Sequence, residues 1–284
     1  MKKHLTTVLL VLVLLAGAAL LLYPTASDYW NSFHQSRAIA GYSETVSSLN
    51  QEDYERVWRE ACEYNARMAG KTTPYKLSDE EWESYRAQLN VAGSGVMGYI
   101  DIPKIKVTLP VYHGTDESVL QVAAGHIESS SLPVGGASSH CVISGHRGLP
   151  SAKLFTDLDQ LGEGDIFQLQ ILNETLTYEV DQIRIVLPQE VGELNIVQGQ
   201  DYCTLVTCTP YGINSHRMLV RGRRIANPEE VSVVRITADA IRIDPVLVAP
   251  AAAAPMLLAM LVWLAVNPGG KKKKKNAKRK GKHQ

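Results

Sequence analysis

The stretch Thr204-Leu-Val-Thr-Cys208-Thr-Pro-Tyr-Gly-Ile-Asn-Ser-His-Arg217 decides how this chain of 284 residues is read. Its β-branched, apolar first half predicts a strand that delivers Cys208 to its end. The Pro-Tyr-Gly that follows is turn chemistry, and the chain re-enters a strand at Arg217. A thiol and a guanidinium therefore stand at the same end of two consecutive strands. Upstream, Cys141-Val-Ile-Ser-Gly-His146 carries an imidazole to a strand end in the same way. Nucleophile, acid/base and oxyanion donor are the parts that acyl transfer through a thioester needs.

These segments resemble the sortases, cysteine transpeptidases of Gram-positive cell surfaces, and among them the pilin-polymerising class C. The resemblance rests on Thr-Leu-Val-Thr-Cys around Cys208, on Arg217 nine residues later, and on Ser-Gly-His-Arg-Gly-Leu-Pro around His146. Tyr-Ile-Asp-Ile-Pro-Lys-Ile at 99–105 and Ser-Leu-Pro-Val-Gly-Gly at 131–136 extend it, so that residues 95–225 are covered closely and the flanks loosely. Alone, Thr-Leu-x-Thr-Cys is moderately specific; joined to the histidine segment and an arginine at this spacing it is strong.

Each residue also has a plainer reading. A cysteine at the end of an apolar strand is ordinarily a buried, inert thiol. Cys208 instead borders a polar turn, between Thr207 and Thr209, which we expect to flank the substrate. Among eight histidines, His146 is preferred because it ends a strand beside a glycine. His216 adjoins Arg217, and strand alternation points neighbours to opposite faces. His126, in Gly-His-Ile, is expected to line the cleft. Arg217 in the plain reading is a surface ion-pair residue; one short turn after Cys208, it is expected to hold the substrate carbonyl or stabilise the oxyanion, with backbone amides such as that of Thr209 assisting. Arg147, beside His146, should point elsewhere. No carboxylate that would orient the histidine is identifiable from the sequence.

The formal net charge of zero averages two unlike regions. The tail after residue 266 has nine Lys or Arg and no acid; without those and Lys2 and Lys3, 18 basic residues face 29 acidic ones. Residues 5–22 and 246–266 are uncharged apolar runs, and crossing a bilayer takes about 20 such residues. The first is longer than a signal-peptide core, and Tyr-Pro-Thr-Ala after it is a poor cleavage site. A lysine-rich tail directly after an apolar span marks the cytoplasmic side rather than nucleic-acid binding. The expected topology is two-pass, with both termini cytoplasmic and the catalytic domain outside.

Along the chain the expected layout is an anchor at 1–23, a helical region at 24–94, a catalytic barrel at 95–225, a connector at 226–245, a second span at 246–266 and a basic tail at 267–284. Residues 28–69 read as two helical segments, the second capped by Asn50 and ended by Gly70, with Tyr54, Val57, Trp58, Ala61 and Cys62 on one face. Ser78 and Glu81 form a capping box, with Leu77 and Trp82 as its hydrophobic staple. From Gly95 the period is that of strands: 97–102, 106–112, 140–144, 165–172, 176–187, 202–208 and 216–221, with a hairpin at Asn173-Glu174 and a short helix at 152–161. Many short strands and few helices predict a mainly β fold with a closed barrel, behind N-terminal helices and flanked by two transmembrane helices. The resemblance implies the same barrel. Four scattered cysteines give no metal site and no disulfide framework, and Cys141 and Cys203 are expected to be reduced core residues.

The resemblance implies that Cys208 attacks the Thr–Gly bond of a Leu-Pro-x-Thr-Gly-type sorting signal on a pilin, that His146 protonates the leaving amine, and that a lysine of the next pilin resolves the thioester into an isopeptide bond. No metal or organic cofactor is called for; the partners are pilins and the lipid bilayer, and nucleic acid is not among them. A housekeeping sortase that attaches proteins to peptidoglycan would share every catalytic residue. A cysteine protease, or a non-catalytic assembly factor on the same barrel, are the readings from other classes. Class C members also carry a lid loop with an Asp-Pro-aromatic motif. Thr73, Pro74 and Tyr75 match it within the loop 71–77, with Thr in place of Asp.

Overall fold

Eight strands form among the described residues, and they close on themselves in the order β1-β2-β3-β4-β7-β8-β6-β5. The computed structural model describes residues 2–68 and 76–228. The strands are β1 (Val96–Ile102), β2 (Val107–His113), β3 (Ala124–His126), β4 (Ser139–Ser144), β5 (Ile166–Ile171), β6 (Glu174–Val186), β7 (Asp201–Thr209) and β8 (His216–Ile225). Three helices precede them, α1 (Lys2–Ser48), α2 (Gln51–Met68) and α3 (Asp79–Ala87), and a one-turn α4 (Glu117–Leu120) lies between β2 and β3. Of two compact units, Tyr23–Ile241 contains every one of these elements apart from the start of α1. Closure removes the free edges that an open sheet of this size would expose.

The N-terminal reading holds in its caps. Asn50 Oδ1 accepts from Asp53 N at 2.8 Å and starts α2. The Ser78–Glu81 capping box is present in both directions, and Leu77 is buried beside a half-buried Trp82 that packs on the core. Ala61 is buried and Tyr54, Val57 and Trp58 pack against the core, but Cys62 is exposed. The buried face of α2 runs instead through Ala61, Tyr64, Asn65 and Met68.

Three expectations need correction. Residues 152–161 are not a helix; only a 3₁₀ turn, Leu158–Gln160, forms there. Leu154 has φ of 39°, a left-handed conformation that interrupts a helix, and Ala152, Leu154, Phe155 and Leu158 bury themselves from an irregular backbone instead. The β5–β6 hairpin turns at Leu172-Asn173, one residue earlier than expected. The strand Ala124–His126 was not expected; three residues buried throughout give no alternation to read.

One helix among the described residues, α1, is long and apolar enough to cross a membrane, with a mean hydropathy of 2.3 in its most apolar window. The lid residues Thr73, Pro74 and Tyr75, the end of α2 at Gly70, and the connector, second span and basic tail expected beyond residue 228 lie outside the described residues.

Two cores fill the fold. The large one fills the barrel and extends to the packed faces of α1, α2 and α3; the small one joins Val142, Val206 and Leu219 to Leu194 of the β6–β7 connection, on the outside of the sheet. β4 and β7 are thus covered on both faces, which explains their nearly continuous burial. Cys141 and Cys203 face each other across the parallel β4–β7 pair, both free and buried. Burial, reinforced by the contact with Cys141, pushes the Cys203 thiol well above its ordinary range. Protein unfolded without reductant is expected to show four alkylatable thiols, with no change in intact mass on adding reductant; a loss of two thiols would mean that this pair is oxidised.

Candidate active site

Strand pairing brings the three expected catalytic residues together. β4 and β7 run parallel, with Ser144 opposite Val206. Gly145 N continues the ladder by donating to Val206 O at 3.0 Å. Two further residues on each strand set His146 level with Cys208. On the other side of β7, antiparallel pairing places Arg217 directly opposite Cys208. Neighbouring strands lie about 4.8 Å apart, so the three side chains arise within about 10 Å on adjacent strands.

Alternation fixes the face. Cys141 and Ile143, Cys203 and Leu205, and Met218 and Val220 point into the barrel; Val142, Val206 and Leu219 point out, into the small core. By the period of two, His146, Cys208 and Arg217 belong to the outward set, at its open end. Cys208 is half-buried, and the His146 side chain retains 26% exposure. The thiol thus borders solvent, with Leu194 and its loop covering the sheet behind it.

Two close approaches lock the histidine segment to the sheet. A Cβ on Gly145 would lie 2.6 Å from the buried ring of Phe155, so only glycine lets β4 run over that ring. Gly148, at φ of 76°, lies under Tyr211 of the β7–β8 turn, where a Cβ would meet the ring at 2.7 Å. Thr207, buried, donates its hydroxyl to Gly145 O at 2.8 Å. Its side chain therefore ties the cysteine strand to the residue before His146 and does not face a substrate. Thr209 is also buried, at 8% exposure.

The remaining assignments separate clearly. His126 is fully buried, and its expected place lining the cleft is not the one it occupies. Its Nδ1 lies 2.9 Å from the Tyr85 hydroxyl and its Nε2 2.8 Å from Ser131 O, which ties α3 to the barrel. His216 turns to Ser215 Oγ at 2.9 Å. Arg147 pairs with Asp159. Arg217 Nη1 donates to Asn214 O at 3.2 Å and His216 O at 3.0 Å, so its guanidinium rests on its own turn.

Glu117, at the start of α4, is the group that the sequence did not reveal. Its Oε2 lies 3.6 Å from His146 Nε2, and its side chain is 72% exposed. An acid in Thr-Asp-Glu after a strand carries no signal that would single it out. At that distance the two groups share no hydrogen bond, and so solvated a pair is worth little energy.

The arrangement puts a partly exposed thiol on the strand between those that carry an imidazole and a guanidinium. Comparison with known proteins gives a consistent picture. The family model described as "Sortase domain" matches residues 100–225. The crystal structure of sortase C1 from Streptococcus agalactiae is 52% identical, covers 68% of this chain and all of its own, and superposes with a TM-score of 0.66. Sortase C of Streptococcus pneumoniae is 44% identical over 67% of this chain and 97% of that one, with a TM-score of 0.58. Sortase A of Staphylococcus aureus is 30% identical over 50% of this chain and 68% of its own length. Sortase D of Bacillus subtilis is 29% identical over 45% of this chain, a match that spans 63% of that protein.

Thr207→Val, which keeps the shape and removes the donor, is expected to lower stability by about 1 kcal/mol and to slow turnover by letting Gly145 and His146 drift. Thr207→Ser, which keeps the hydroxyl, should restore both. Melting curves and peptide-cleavage rates for the two variants check this; equal behaviour of Val and Ser would show that the hydroxyl does not position the histidine.

Proposed function

The chain belongs to the sortase family of cysteine transpeptidases, in its class C branch, and we propose that it polymerises pilins by joining them through lysine isopeptide bonds. The observation that supports this most is Cys208 flanked on adjacent strands by His146 and Arg217. The first step takes a Leu-Pro-x-Thr-Gly-type sorting signal. The Cys208 thiolate adds to the threonine carbonyl, and Arg217, swung from its own turn, meets the oxyanion with its planar fork. His146 gives its proton to the departing glycine amine, leaving an acyl thioester on Cys208. A lysine amine of the next subunit then attacks that thioester and His146 takes up the proton released. The thioester conserves the free energy of the cleaved amide, so the exchange needs no further input.

The family's members are membrane-associated, with the catalytic domain outside the cell. For this chain the proposal is a two-pass protein with both termini cytoplasmic, which the apolar start of α1 supports on one side. Anchoring the enzyme and its substrates in one bilayer confines their encounters to two dimensions and raises effective concentration. A wall-anchoring sortase would run the same first half-reaction and differ only in the amine that resolves the thioester.

Incubation with a pilin that carries a sorting signal and an acceptor lysine is expected to yield a ladder of covalent polymers. Cys208→Ala and His146→Ala should abolish the ladder without unfolding the protein. Arg217→Ala should cost on the order of 100-fold or more, the range seen when an oxyanion donor is removed, and Arg217→Lys should not restore it. A normal ladder from Cys208→Ala would overturn the assignment; transfer only to peptidoglycan-type amines would favour wall anchoring.

A further inference from the structure

α1 meets the barrel along one stripe. Asp28, Asn31, Gln35, Ile39, Tyr42 and Val46 recur at spacings of three or four, which is one face of a helix. The second half of the stripe is apolar and buried: Ile39, Tyr42 and Val46 are each 2% exposed. There the Tyr42 hydroxyl donates to Met97 O at 2.9 Å and accepts from Leu172 N at 2.7 Å, at the end of the barrel away from Cys208.

The first half is polar, and each side chain contacts backbone in a distant segment. Asp28 Oδ1 accepts from Lys153 N at 2.6 Å, Asn31 Nδ2 donates to Ser151 O at 2.8 Å, and Gln35 Nε2 donates to Val122 O at 2.7 Å. Lys153 and Ser151 lie in the irregular segment that follows His146, and Phe155 N closes that segment by donating to His146 O at 3.1 Å. Val122 lies just after α4, whose Glu117 reaches the imidazole. One helix face therefore grips both the segment that follows His146 and the chain just after α4.

Cys208 and Arg217 have no such need, because the β7–β8 ladder holds them directly. His146 stands two residues past the end of β4, and the segment behind it contains no strand and a single 3₁₀ turn. We propose that Asp28, Asn31 and Gln35 are positioning residues for catalysis, through which α1 sets the place of His146 relative to Cys208. The contacts suit that role: hydrogen bonds to single backbone groups specify a location, whereas the apolar half of the stripe supplies the adhesion. They also tie the segment that follows His146 to α1. A displacement of about 1 Å at a reacting group can cost 100-fold in rate, so small losses of register matter here.

This proposal rests on His146 being the acid and base, and turnover of a sorting-signal peptide by His146→Ala tests that reading alone. In the full-length chain, the double variant Asp28→Ala/Asn31→Ala is expected to lose at least about 10-fold in kcat with KM changed less than about 2-fold. Asp28→Asn, which keeps the acceptor oxygen for Lys153 N, should retain nearly full kcat. Val46→Ala, at the far end of the same stripe, should lower the melting temperature as much or more and leave kcat unchanged. In histidine-labelled protein, the His146 ring resonances should move in the double variant while those of buried His140 stay in place. If His146→Ala is inactive but the double variant turns over like the parent with an unmoved His146 signal, or if Val46→Ala loses kcat in step with it, α1 does not position the histidine.

Discussion

The parallel pairing of β4 with β7 is the constraint on which the site depends. It sets Ser144 opposite Val206, and so brings His146 and Cys208 to one height two residues further on. A slip of one residue would turn every side chain of a strand to the other face and separate the pair. Such a slip is resisted on both faces at once. Inside, Cys141, Ile143, Cys203 and Leu205 fill the barrel; outside, Val142 and Val206 pack under Leu194. The β7–β8 pairing then places Arg217 opposite Cys208 without further help. The catalytic arrangement is therefore a consequence of sheet register, protected by two cores.

Much of this was legible in the sequence because strand ends announce themselves. Apolar runs stopping at Ser-Gly-His and at Thr-Cys-Thr-Pro located the imidazole and the thiol, and alternation separated Arg217 from His216. The caps at Asn50 and Ser78 were equally local and equally readable. What escaped was non-local. His126 looked like a cleft residue beside a glycine, yet its burial depends on Tyr85 arriving from α3, 41 positions away. Residues 152–161 show helical spacing only because Ala152, Phe155 and Leu158 each find the same core from an irregular path. Glu117 comes within 3.6 Å of His146 because β3, which follows its turn, pairs with β4, and no spacing in the sequence encodes that contact. Thr207, placed beside the nucleophile, suggested a substrate contact; the pleat turns it to Gly145 instead.

The fold divides the work between rigid and adjustable parts. Cys208 and Arg217 sit on paired strands, while His146 begins an irregular segment that hydrogen-bonds to side chains of α1 and makes close approaches at Gly145 and Gly148. Arg217 rests on its own turn, and in the proposed reaction its redirection toward a bound carbonyl would cost two hydrogen bonds that the developing oxyanion would replace. Such an exchange would favour the transition state over the ground state, which is the property required of an oxyanion donor.

The central claim is that an acyl group passes through the sulfur of Cys208. Its most direct test is mass spectrometry of the protein quenched in acid after mixing with a sorting-signal peptide and no amine acceptor. The account predicts an adduct equal to the peptide's acyl portion on the fragment that contains Cys208, discharged by hydroxylamine as a thioester is. Cleavage of the peptide with no adduct on any cysteine, or an adduct on the exposed Cys62 instead, would contradict it.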